Sequence, residues 1–113
     1  MRKRTLRFRK VDKNNFEDVR LGKKSIETRA ATMKYRSIAE GDTLIFVCGT
    51  DRIEKRVAAV HHFSSIDAML RKLPREAIMP DLDSVADIKR RYASYPGYEE
   101  KIREHGILAF ELA

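Results

Sequence analysis

Between residues 40 and 63 the chain is punctuated twice by glycine and is otherwise built to lie extended. Glu40-Gly41-Asp42 makes a tight turn, because glycine reaches positive φ without a steric penalty and aspartate can bond its own backbone. Thr43 to Cys48 then runs continuously apolar, the pattern of a strand buried on both faces. Cys48-Gly49-Thr50-Asp51 turns the chain again. From Arg52 to Phe63 the residues Ile53, Val57, Ala59, His61 and Phe63 fall on alternate positions of one long strand. The two segments form a hairpin, and a second strand of that length bends, as strands do in small barrels.

The remaining segments must be arranged around this hairpin. Thr5 to Val11 alternates, with Leu6 and Phe8 opposite Arg7 and Arg9, and reads as a half-buried first strand. Asn14 or Asn15 can cap a short helix over about 15–21, in which Phe16 and Val19 share a face and which Gly22 ends. Residues 22–29 follow as a second strand, and 30–40 as a loop or one helical turn. Ser64 or Ser65 caps a helix carrying Ile66, Met69, Leu70 and Leu73, which Pro74 stops. A single turn is expected over Arg75 to Met79. Ser84 with Asp87 three residues on resembles a capping box, opening a helix with Val85, Ile88, Tyr92 and Tyr95 on one face. Tyr98 to Glu104 gives another helical turn, and Ile107 to Leu112 a last strand that returns to close the sheet.

At 113 residues one hydrophobic core is expected, large enough to fold without disulfides. The hydrophobic content of 42% argues against disorder despite 36% charged residues. Cys48, within the apolar run, reads as a small buried hydrophobe, and no spaced partners mark a metal site. Neither a membrane span nor a signal peptide is recognisable, so a cytoplasmic setting is expected. The charge is local. Arg2, Lys3, Arg4, Arg7, Arg9 and Lys10 supply +6 of the net +7. Such a cluster either attracts a phosphate backbone or forms a solvated strand and tail.

The most heavily charged strand is Gly22-Lys23-Lys24-Ser25-Ile26-Glu27-Thr28-Arg29. In an extended chain Ser25, Glu27 and Arg29 share one face, and Lys24, Ile26 and Thr28 the other. Two readings stand side by side: an edge strand whose charges resist aggregation, or the wall of a polar site. In the second, Lys24 is a base or a fixed cation, Glu27 orients or deprotonates a water, and Arg29 grips a phosphate or carboxylate with its forked donors. In the first, Glu27 merely neutralises Lys24 or Arg29. His61 and His62 are adjacent on a strand and point to opposite faces, so both cannot ligate one metal; His61 is expected to pack with Val57 and Phe63. Tyr35, Tyr92, Tyr95 and Tyr98 are candidates to stack on a base, although Tyr92 and Tyr95 also fit an apolar helical face.

Residues 22–29 resemble the G-K-K-T-I-E-x-R signature of the ASCH domain, a branch of the PUA-like barrels, with serine in place of threonine. The resemblance continues in Gly41-Asp42 before an apolar strand ending near Phe46, in Tyr95, and in Gly106 to Phe110, and so spans about residues 5–112. It implies an α+β fold: one ASCH/PUA-like domain over 1–113, a mixed β-barrel of about five to six strands with short helices packed around its opening. It also implies a cleft lined by the Gly-Lys-Lys strand, binding RNA or a modified nucleoside, with no cofactor and no metal. Lys23, Ser25, Arg29, Arg7, Arg9 and Tyr95 become the ligand-binding candidates. Some members of the group remove the acetyl group from acetylcytidine, and ribonuclease activity is also assigned within it. The amidohydrolases use a lysine and a threonine of the signature strand with a glutamate before the last long helix. The lysine corresponds to Lys24. The threonine position holds Glu27, which is not an equivalent nucleophile, and the acid falls near Asp81 or Asp83. The alternative to a binding module is therefore a hydrolase using Lys24, Glu27 and Asp81.

Overall fold

The computed structural model describes residues 1–113. Five strands, β1 (Lys3–Arg7), β2 (Ile26–Ala30), β3 (Thr43–Cys48), β4 (Asp51–Phe63) and β5 (Ile107–Leu112), form one mixed sheet in the order β1-β3-β4-β5-β2. Six short helices accompany them: α1 (Lys13–Arg20), α2 (Met33–Arg36), α3 (Ile66–Lys72), α4 (Arg75–Ile78), α5 (Val85–Ser94) and α6 (Tyr98–His105). None is long and apolar enough to cross a membrane.

The hairpin forms as the glycine turns require. Thr43 to Cys48 pairs antiparallel with Arg56 to Asp51, and β1 lies parallel on the other side of β3. β4 then changes partner. Beyond a register shift between Val57 and Ala59 its second half pairs with β5. A bulge of this kind increases twist and bends the strand, so one long strand serves both halves of the sheet and curls it into a small barrel-like fold.

The curl creates two cores. Leu6, Leu44, Phe46, Val57, Leu108 and Phe110 pack with Phe16 and Val19 of α1 against one face. Ile26, Ala30, Ile107 and Ala109 pack on the other face with Met69, Ile78, Met79, Ile88, Tyr92 and Ile102 from α3 to α6. Both Phe46 and Phe110 are fully buried, a setting in which truncation to alanine costs about 3–5 kcal/mol.

β5, rather than β3, is the strand buried on both sides. Residues 107–110 are all buried, whereas Thr43, Ile45 and Val47 are only half-buried. The continuous apolar run of β3 thus has helices on one face alone, because α3 to α6 gather behind β2 and β5. β5 also sits between β4 and β2, which leaves β1 and β2 at the two edges. The sheet is left with a seam between its two edge strands. There the Arg29 guanidinium reaches across from β2, its Nη1 donating to the Arg7 carbonyl of β1 at 3.4 Å.

Local signals act as expected at the starts of α3 and α5 but not of α1, which begins at Lys13, so that Asn14 and Asn15 lie inside the helix and neither caps it. Ser65 accepts from the Ala68 amide and Ser84 from the Asp87 amide, each at 3.1 Å. Between α6 and β5, Gly106 holds φ at 84°, and a Cβ there would lie 2.4 Å from the Phe63 carbonyl oxygen. Only glycine lets β5 start so close to the end of β4.

Candidate functional site

A cavity of about 190 Å³ opens in the seam, lined by Arg7 at the end of β1 with Phe8 and Arg9 just beyond it, from β2 by Glu27, Thr28 and Arg29, and by Tyr95 and Pro96 of the α5–α6 connection with Tyr98 at the start of α6. Lys24 and Met79 contribute from below, and Asp12, Asn15 and Tyr35 complete the wall. For scale, a cavity of ~150 Å³ can hold benzene.

Lys24 reaches this cavity because it precedes the strand. Gly22 adopts φ 77° after α1, and the Lys24 amide turns back to donate to the Asp18 carbonyl at 3.0 Å. β2 starts only at Ile26. The strict alternation expected from residue 22 onward therefore fails at Lys24, which comes to 3.7 Å from Glu27 instead of lying on the opposite face. Its Nζ donates to the Ile78 carbonyl. The side chain is 2% exposed, and burial pulls its amine below the ordinary lysine value, with Glu27 opposing that shift and Arg29 reinforcing it.

Glu27 is held from three sides. One carboxylate oxygen accepts from the Thr28 amide at 2.9 Å and faces Lys24, while the other accepts from Arg29 Nη2 at 3.3 Å. Its carboxylate thus satisfies a backbone donor on the free edge of β2 as well as two cations. Arg29 in turn lies over the rings of Phe8 and Tyr35, 5.1 and 5.7 Å from their centroids. A guanidinium fixed by a carboxylate, a carbonyl and two rings loses little further freedom when it meets a ligand.

The mouth is formed by Arg9, which stands 5.6 Å from the Tyr95 ring centroid while its Nε donates to Asp12 at 2.7 Å. The Tyr95 hydroxyl accepts from Asn15 Nδ2 at 2.9 Å. Burial pushes the Tyr95 phenol up to about 12, with the Glu27 charge adding to the effect, and burial also raises Tyr98.

Of the residues singled out from sequence, Lys24, Glu27, Arg29, Arg7, Arg9 and Tyr95 line this cavity, as do the stacking candidates Tyr35 and Tyr98. Lys23 and Ser25 are exposed and do not line it. Asp81 is outside the lining as well. It accepts from both guanidinium nitrogens of Arg91, at 2.8 and 2.7 Å, which hold its carboxyl below the usual aspartate range; Asp83 is exposed. Tyr92 is a core residue. Its hydroxyl shares a hydrogen bond with Thr28 Oγ1, and burial raises its phenol. Thr28 is therefore tied to the helical layer rather than free to attack a ligand. His61 stacks on Phe63 at 6.0 Å as expected, and its Nε2 also pairs with Glu111 at 2.5 Å. Nowhere do three His, Cys, Asp or Glu side chains gather as a metal site would require.

Of the other lining residues, the sequence reads Asn15 as a possible helix cap and Phe8 as part of the buried face of the first strand, and it gives Asp12 no role. Asn15 is 8% exposed, and nothing in the sequence distinguishes a buried asparagine from a capping one. A wider groove of about 890 Å³ between α3, α5 and α6 carries Asp67, Lys89, Arg90, Glu99 and Arg103, all exposed. It lacks the buried charges of the seam.

No protein-family model and no curated protein matches the chain. Among solved structures it is similar to the hypothetical protein PH0355, with 28% identity and a TM-score of 0.80 over 99% of this chain and 97% of that one. It is also similar to protein PF0455 from Pyrococcus furiosus, with 30% identity and a TM-score of 0.70 over 99% of this chain and 96% of the other. At that identity over nearly the whole of both chains, this protein and PF0455 belong to one family.

Proposed function

We propose that the seam cavity binds a nucleoside unit, free or within single-stranded RNA, with the base among the aromatic side chains and the phosphate at Arg7 and Arg9. The observation that carries this reading is the composition of one small cavity. Four cations, Arg7, Arg9, Lys24 and Arg29, face two acids, Asp12 and Glu27, beside the rings of Phe8, Tyr35, Tyr95 and Tyr98. Excess positive charge suits a phosphate. Aromatic faces accept any base, and one ring fits the volume. The resemblance of residues 22–29 to the ASCH signature supports the same ligand class.

Calorimetric titration with nucleosides and short single-stranded RNA across salt concentrations tests the proposal. Replacing Tyr95 with alanine should weaken binding by about 1–3 kcal/mol. The double variant Arg7→Ala/Arg9→Ala should reduce the logarithmic salt slope by about 1–2. A slope near zero would remove the RNA backbone and leave the free nucleoside. Absence of saturable binding to either ligand would remove both.

A second reading, hydrolysis of an acetylated nucleoside such as acetylcytidine or of RNA, is favoured by the buried contact of Lys24 with Glu27 at 3.7 Å. In it, the lysine stabilises developing oxyanion charge and the carboxylate activates water. Asp81 takes no part, being paired with Arg91. Equal turnover of acetylcytidine by the wild type and the Lys24→Ala and Glu27→Ala variants would exclude both residues from such a reaction.

A further inference from the structure

We propose that Lys24 is a carbonyl-trapping amine, and that the cavity admits a small anionic aldehyde or 2-oxo acid and holds it as an imine on Lys24 Nζ. This use of the cavity does not depend on nucleoside binding.

Three features point to it. The first is isolation: the Lys24 side chain is 2% exposed yet borders the cavity. Only the free amine attacks a carbonyl, and removal from water favours that form. The charges around it are Glu27 and Arg29 on β2, Arg91 on α5 and Asp81 before α5; Glu27 opposes loss of the proton, while Arg29 and Arg91 promote it. The second is an acid–base partner. Glu27 lies 3.7 Å away, close enough to exchange protons after a small side-chain shift or through one water. The third is a place for the anionic end of the ligand, since Arg29 and Arg7 line the same cavity and guanidinium groups grip carboxylates through paired donors.

The chemistry balances without an oxidant or reductant. The Nζ lone pair forms the C–N bond as the carbonyl π pair moves to oxygen. Proton transfer from nitrogen to oxygen through the Glu27 carboxylate gives the carbinolamine. Glu27 then takes the remaining N–H proton and passes it to the hydroxyl, which leaves as water while nitrogen forms the C=N bond. One amine and one carbonyl become one imine and one water.

Glyoxylate with sodium cyanoborohydride, which reduces an imine to a stable amine, supplies the test, with adduct sites read by peptide mass spectrometry near neutral pH. Ordinary lysines are almost wholly protonated there, and each unit of lowered pKa raises the free amine about tenfold. Lys24 should therefore be modified faster than its exposed neighbour Lys23. Glu27→Gln should slow modification at Lys24 without moving it elsewhere, and Lys24→Arg should leave only slow labelling of exposed lysines. Labelling of Lys23 at a rate equal to or above that of Lys24 in the wild-type protein, or none at Lys24, would overturn the proposal. The comparison is internal to the wild type, so it holds even if the variants fold poorly. Loss of nucleoside binding would leave it untouched.

Discussion

Lys24 Nζ lies 3.7 Å from Glu27 Oε1, with both side chains almost fully buried and Arg29 on the far side of the carboxylate. A lysine can shed its proton in such a place, whereas an arginine cannot. The pair is therefore asymmetric: Glu27 keeps Arg29 and the Thr28 amide as partners whatever the state of Lys24, whose neutral amine is favoured by burial.

That asymmetry predicts unequal costs. Glu27→Ala leaves Arg29 buried without its carboxylate and should destabilise the fold by about 3–5 kcal/mol. Lys24→Met keeps the volume and leaves Glu27 with Arg29 and the Thr28 amide, so the loss should stay below about 1.5 kcal/mol. Urea unfolding of the two variants checks the order, and a larger loss for Lys24→Met would refute it.

The bond between Thr28 Oγ1 and the Tyr92 hydroxyl joins β2 to α5 in the core. Thr28→Val or Tyr92→Phe alone strands a buried hydroxyl and should cost about 1–3 kcal/mol. The double variant should cost clearly less than the sum, because it removes both polar groups together. Additive losses would show that the two hydroxyls do not depend on each other.

Stability should fall at both ends of the pH range. Asp42 accepts from the backbone amides of Arg2 and Ala39, at 3.0 and 2.9 Å, and its folded value is depressed. Its contribution is present above the ordinary aspartate value of about 3.9 and is lost as pH falls through the folded value. Tyr92, Tyr95 and Tyr98 are raised. Their contribution is complete below about pH 10 and declines as pH climbs towards their folded values. Lys24 works in the other direction, because the unfolded chain binds its proton more tightly, so stability rises with pH from the folded value up to about 10.4. Thermal unfolding against pH should show Asp42→Asn flattening the acid limb and Lys24→Met flattening the rise before the alkaline decline.

Gly106→Ala places a Cβ 2.4 Å from the Phe63 carbonyl and strains a φ of 84°. A strained backbone position of this sort costs about 1–3 kcal/mol before the steric contact is counted. Calorimetry should record a clearly lowered Tm, and an unchanged one would mean that the α6–β5 connection relaxes freely.

Much of this architecture is written in local patterns. The glycine turns place the hairpin of β3 and β4, the serine caps place α3 and α5, and the alternation around Leu6 marks a first strand, although β1 runs over Lys3–Arg7 rather than Thr5 to Val11. What escapes is decided by partners distant in sequence. The apolar run of β3 is the same on paper whether one face or two are covered, and only the stacking of α3 to α6 behind β5 settles which strand is doubly buried. The charged stretch from Gly22 to Arg29 was readable as a site wall, but the contact of Lys24 with Glu27 depends on where the strand begins, which the Asp18 carbonyl sets. Asp81 was recognisable as an acid just before α5. Its capture by Arg91, ten residues on, was open to no periodicity argument.

The nucleoside-binding reading is tested most directly by following backbone amide resonances during titration with a nucleoside 5′-monophosphate. Saturable shifts should concentrate at Arg7 to Asp12, at Glu27 to Arg29 and at Tyr95 to Tyr98, the three segments that meet in the seam. Shifts gathered instead on Lys89, Arg90 and Arg103 of the open helical groove, or no saturable shift anywhere, would contradict it.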